Sequence, residues 1–200
     1  MSTNAQTPQP SAARAPVAKP GWRDVLNALG QRKVLLALAI GLGSGLPFLM
    51  TGNTFGTWLA EYDISLTAIG FISWVGLAYS FKMLWAPIID RANAPLLGFL
   101  GRRRGWMALS QIIVGGALVA MALIGPQGGL LLLGSAALVV AFASATQDIV
   151  VDAWRIESSS GDEELTLMTS AFQLGYRIAI FFANTLVFFL AAGIGWGGSY

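Results

Sequence analysis

Asp148 and Asp152 stand four residues apart in SATQDIVVDAWRIE, with Ser144 four residues before Asp148 and Arg155 three residues after Asp152. Residues at i, i+3 and i+4 share one face of a helix. This segment therefore aligns a hydroxyl, two carboxylates and a guanidinium along one stripe. It leads out of a run, Pro126 to Gln147, that carries no charge. An ionisable group in such apolar surroundings is costly, and by default it is a functional hypothesis. The chemistry open to it is proton exchange, because burial opposes the charged carboxylate while a nearby arginine favours it. Asp148 lies deeper and is the better proton-exchanging group; Asp152 is the better gate. The alternative is that both form helix-end ion pairs with Arg155 or with loop arginines.

Arg177 is the second candidate. It lies about 15 Å into an apolar segment that begins near Leu167, close to a bilayer centre. Gln173 and Asn184 share its helix face, and Ile178, Phe182 and Phe189 form an opposed apolar one. Such an arginine needs a carboxylate partner or a water-filled cavity, so it is either a structural ion pair or an anchor for an anionic solute. Lys82, in AYSFKMLWAP, either snorkels to the interface or faces a cavity with Tyr79 beside it. The loop WAPIIDRANAPLLGFLGRRRGW sets Asp90 and Arg91 at the end of one span and Arg102, Arg103 and Arg104 at the start of the next. That arrangement anchors the chain to a positively flanked membrane face, and it also allows an ionic latch between Asp90 and the three arginines.

The elements that must position these groups are membrane spans. Hydrophobic residues make up 55% of the chain and charged residues 11%, against roughly 25% charged in globular domains, and mean hydropathy is +0.64. The chain is an all-α membrane protein on this reading. It has no Cys and no His, which excludes disulfides, zinc sites of the usual kind and any Cys or His nucleophile. No metal and no cofactor is expected. A net charge of +2 points to no nucleic-acid partner. Residues 1–21, rich in Ala, Pro, Ser, Thr and Gln, read as a disordered tail without a signal-peptide core. Trp22 to Lys33 reads as an amphipathic lead-in.

A crossing helix needs about 20 apolar residues, and five segments qualify, at about 34–59, 66–89, 106–124, 129–151 and 167–194. Five Lys and Arg precede the first span, none lies between the first and second, and four stand between the second and third. The GPQGG turn after the third carries no charge. The alternation implies a cytoplasmic N-terminus. The first span is glycine-rich, with Pro47 in its middle, which suits close helix packing and also a flexing helix beside a cavity. GIGWGGSY offers turn-forming glycines and no following helix, so the chain is expected to be truncated before a sixth span.

DR followed by GRRR between the second and third spans resembles the signature of the major facilitator superfamily, with nine residues, Ala92 to Leu100, set between the two halves. SGLPF, TAIGF, FKMLWAPIIDR, GRRRGW, SATQDIVVDAW and LGYR occur in that order between residues 44 and 177. Together they resemble the anhydromuropeptide permease (AmpG) family; the related acetyl-CoA transporter branch shares weaker forms of the same blocks. The resemblance implies the N-terminal half of a facilitator-type bundle of at least twelve spans. It implies a proton-driven importer in the inner membrane of Gram-negative bacteria. Its solutes would be GlcNAc-anhydroMurNAc and its peptides, imported for peptidoglycan recycling and linked to β-lactamase induction.

The residues fit such a solute. Peptide carboxylates suit Arg177 and Lys82; sugar hydroxyls suit Gln147, Gln173, Asn184, Tyr79 and Tyr176. The expected partners are the lipid bilayer, protons and an anionic glycopeptide, and the complete protein is expected to be a monomer. Nothing in the sequence points to an enzyme. The competing class is a non-transporting membrane scaffold of the same fold, which would tolerate Arg177→Ala and Asp148→Asn.

Overall fold

In this computed structural model the described residues are 30–65, 67, 68, 70 and 73–199, and among them the regular structure is helical throughout. The tail at 1–21 and most of the lead-in to the first span lie outside the described residues. So does part of the TAIGF block.

Four helices are long and apolar enough to cross a membrane. The first crossing is made by α1 (Arg32–Thr51) and α2 (Asn53–Glu61), joined at Gly52. Pro47 lies buried inside α1, and the Thr51 hydroxyl donates to its carbonyl at 3.0 Å. Proline has no N–H, so the helix loses a ladder bond here, and the chain breaks one turn later at Gly52. After two short helices, α3 (Leu77–Phe81) and α4 (Ala86–Arg91), come the three other crossings: α5 (Arg102–Ile124), α6 (Leu130–Ser158) and α7 (Asp162–Ile194). A four-residue helix, α8 (Trp196–Ser199), ends the described chain.

The second span departs from the expectation of one continuous helix over 66–89. A 3-10 turn at Ser73–Gly76, α3, a second 3-10 turn at Lys82–Leu84 and α4 follow one another. Gly76 weakens helix propensity, and Pro87, near the start of α4, removes an amide and constrains Ala86 before it. The last two spans are longer than expected. α6 runs to Ser158 and α7 begins at Asp162, so both project beyond a hydrocarbon core of roughly 30 Å.

α1 packs most extensively on α7, and α6 packs on α5, on α1 and on the broken second span. The α1–α7 contact is built from small residues on both helices. A Cβ on Gly41 would strike the Phe172 carbonyl, one on Gly45 would lie 2.7 Å from the Tyr176 oxygen, and one on Gly175 would lie 3.0 Å from the Leu42 nitrogen. In lipid, where burial supplies no hydrophobic driving force between helices, close backbone approach is what holds them. The largest core cluster joins Phe55, Trp58 and Leu59 to Met121, Leu133, Val140 and Trp196. Helix turns fall at glycines with positive φ, among them Gly101 at 88° and Gly129 at 107°.

Candidate functional site

α6 carries the stripe anticipated from its spacing. Asp148, Asp152 and Arg155 line a cavity of about 310 Å³ with Lys82 from the second span and Phe172, Gln173 and Tyr176 from α7. Asp152 pairs with Lys82 at 3.9 Å and also accepts from Arg155. Arg155 is nearly buried, and its guanidinium lies over the Phe172 ring, 4.5 Å from the centroid. The aromatic face replaces part of the hydration that the cation loses. Asp148 lies one turn deeper. Its Oδ1 is buried and has no hydrogen-bond partner among the described residues, and the charged groups that face it are Lys82, Asp152 and Arg155. The cavity thus sets two carboxylates against two cations, with the deeper carboxylate left to bind a proton or a polar group.

Ser144 continues the stripe inward. It is buried, and with Thr51 it borders the buried Tyr79 hydroxyl. Phe48 packs edge-on against the Tyr79 ring, with centroids 5.4 Å apart. Gln147 donates to Ser44 across the α1–α6 contact at 3.2 Å, a fully buried bond. Gln147 and Tyr79 therefore stand in the wall behind the cavity and do not line it.

The structure separates Arg177 and Asn184 from this cavity. Gly175 and Ala179 face α1, and Arg177 lies two residues from Gly175, about 200° round the helix, exposed at mid-length of α7. It has no ion-pair partner among the described residues, and Asn184 is half-buried on the same face. Gln173 alone of that stripe reaches the cavity. Lys82 lines the cavity, the second of the two placements open to it.

The latch between the second and third spans forms through one of the three arginines. Arg103 donates to Asp90 at 2.7 Å and to both oxygens of Glu157, at 3.1 and 2.6 Å, while Arg102 reaches Glu157 at 3.5 Å. Arg91 and Arg104 are exposed and have no ion pair among the described residues. Asp152 takes no part, contrary to its expected role as a gate partner, because it is engaged with Lys82 and Arg155. Sequence reasoning missed Glu157. It is nine residues beyond Asp148, about half a turn round the helix, and the two extra turns of α6 carry it to the side of α5. A second tie at this end runs from Lys33 to the Ser158 carbonyl at 2.8 Å and to Glu164 at 3.0 Å. At the opposite end Trp196 is buried, stacks on Trp58 and donates to Glu61 at 2.5 Å.

Comparison with known proteins gives this arrangement its context. Residues 33–193 match the family model described as acetyl-coenzyme A transporter 1. The anhydromuropeptide permease of Escherichia coli K12 is 39% identical over 176 residues, which is 88% of this chain and 35% of that protein. An uncharacterized Haemophilus influenzae protein is 41% identical over 165 residues, 82% of this chain and 38% of the relative. A Rickettsia prowazekii sequence bearing the AmpG name is 34% identical over 164 residues, 82% of this chain and 39% of the relative. The chain thus spans little more than a third of the length of these relatives. No solved structure matches it. It is a multi-pass membrane protein, and it belongs to the anhydromuropeptide permease (AmpG) family of transporters, within the acetyl-coenzyme A transporter 1 family model.

Proposed function

We propose that these helices form one half of a proton-coupled importer of anhydromuropeptides, of the major facilitator type, in a bacterial inner membrane. The observation that carries this reading is the α6 cavity, where the unpartnered Asp148 oxygen faces two cations and a second carboxylate inside a membrane span. Protonation of Asp148 would leave Lys82 and Arg155 with one fewer opposing charge and open to a solute carboxylate. Release of the proton would restore the internal pairing and expel the solute. The remainder of the transporter would supply the facing wall, against which the exposed Arg177 would act as a mid-membrane anion anchor. Gln173 would take sugar hydroxyls.

Alternating access would come from rocking of the two halves about this cavity. The Arg103 network with Asp90 and Glu157 would close the cytoplasmic side. Every Lys and Arg between residues 30 and 200, apart from Lys82 and Arg177, belongs to this end of the spans, which supports a cytoplasmic N-terminus. On this reading the solutes are cell-wall fragments, and the recycling and β-lactamase signal that the family resemblance implies would depend on their import.

The family model's description favours a second reading, an acetyl-CoA-type transporter. Both solutes are anions with polar groups, so the cavity suits either. Uptake of labelled GlcNAc-anhydroMurNAc-peptide into vesicles holding the protein in its full reading frame separates them. The permease reading expects uptake driven by an inward proton gradient and unaffected by excess acetyl-CoA. Uptake of acetyl-CoA in place of the muropeptide would establish the second reading, and uptake of neither, at normal membrane levels, would point to a scaffold.

A further inference from the structure

The nine residues that separate the two halves of the charged loop are held in a defined shape that presents apolar side chains outward. The Trp106 indole donates to the Ala92 carbonyl at 2.9 Å, and Ala94, within the loop, is buried. Gly105 admits the loop backbone, since a Cβ there would lie 2.6 Å from the Leu97 oxygen and 3.1 Å from the Ala94 Cβ. Inside the loop Leu97 bonds back to Pro95 at 2.8 Å, Leu100 to Leu97 at 3.1 Å and Gly101 to Gly98 at 3.0 Å. Leu96 sits at φ 64°, a left-handed conformation uncommon for a bulky residue. Such a conformation persists only where the surroundings enforce it. The outcome is that Leu96 is 92% exposed and Phe99 80% exposed, three residues apart in the loop that joins the two spans. Arg91 stands just before this loop and Arg104 just after it, both exposed and without an ion-pair partner among the described residues.

We propose that residues 92–100 are a wedge that inserts Leu96 and Phe99 into the adjoining membrane leaflet while Arg91 and Arg104 bind acidic phospholipid headgroups. The loop joins two spans and so lies at the level where hydrocarbon meets headgroups. An apolar pair flanked by unpaired arginines matches that boundary: apolar side chains partition inward, and each cation near an anionic surface gains attraction. A protein partner for Leu96 and Phe99 would leave the two arginines unexplained. The proposal rests on the chain being membrane-spanning and is independent of which solute is carried.

The 200 residues contain no cysteine, so Leu96→Cys and Phe99→Cys each accept a single environment-sensitive fluorophore, any cysteine elsewhere in the reading frame being replaced by serine. The labelled whole protein is placed in bilayers of phosphatidylcholine with or without phosphatidylglycerol. The wedge predicts a blue-shifted label, quenched by doxyl-labelled lipid and shielded from aqueous iodide, with deeper quenching when phosphatidylglycerol is present. Replacing Arg91→Gln and Arg104→Gln together should abolish most of the extra quenching that phosphatidylglycerol confers. A label open to iodide would overturn the proposal. So would one shielded from iodide and doxyl lipid alike, which would mean that protein covers the loop. Equal depth in both bilayers would overturn the headgroup assignment, whatever the arginine variants do.

Discussion

The two ends of the bundle are fastened by different forces. At one end Arg103 spans Asp90 and Glu157, whose carboxylates are about half-exposed, and Lys33 ties α1 to Glu164. At the other, Trp196 is buried between Trp58 and Phe188, with centroids 6.4 and 5.7 Å away, and its indole N–H is taken up by Glu61. Exposed ion pairs contribute little individually and trade readily with water and salt. A buried aromatic contributes several kcal/mol and re-forms only if the core repacks. Under the proposed rocking mechanism, the ionic end is the one that would change its contacts, while the aromatic end would hold the helices in register.

Four substitutions test that contrast, from the largest effect to the smallest. Trp196→Ala should cost about 3–5 kcal/mol, seen as a large drop in the detergent melting temperature. An unchanged melt would dissolve the distinction between the ends. Gly41→Val, at the α1–α7 contact, forces a side chain against the Phe172 carbonyl and should cost about 1–3 kcal/mol. Arg103→Gln should cost about 1 kcal/mol in the same assay, and the difference from wild type should shrink in high salt; a loss as large as that of Trp196→Ala would show the ionic end to be a structural clamp. Lys33→Gln should shift the melt least of all, yet should raise proteolytic nicking between Ser158 and Asp162, which its side chain tethers.

Much of this was legible in the sequence, for reasons that can be traced. The spans that became α1–α2, α5, α6 and α7 were readable because length and apolarity alone define a membrane helix. The spacing of Asp148, Asp152 and Arg155 predicted a shared face, and the cavity bears that geometry out. The break of the second span was harder to read. Its apolarity says "span", and only Gly76 and Pro87 hint at the interruptions around Lys82. Glu157 escaped because it lies past the apolar stretch, where hydropathy no longer tracks the helix. The Gln147–Ser44 bond and the Trp196 clasp join residues 103 and 135 positions apart in their pairs; no local pattern encodes such pairings. Arg177 was legible as an intramembrane cation, whereas its rotation away from Asp148 depends on which face the glycines give to α1.

The proposed coupling of solute movement to protons through Asp148 is open to a paired uptake measurement. In vesicles, gradient-driven uptake and solute exchange at equal pH are measured for wild type and Asp148→Asn in the full reading frame, at matched membrane levels. Asp148→Asn should lose accumulation under the gradient while keeping exchange, because the amide mimics the protonated, solute-binding form. Accumulation by Asp148→Asn at the wild-type rate would contradict the proposed coupling.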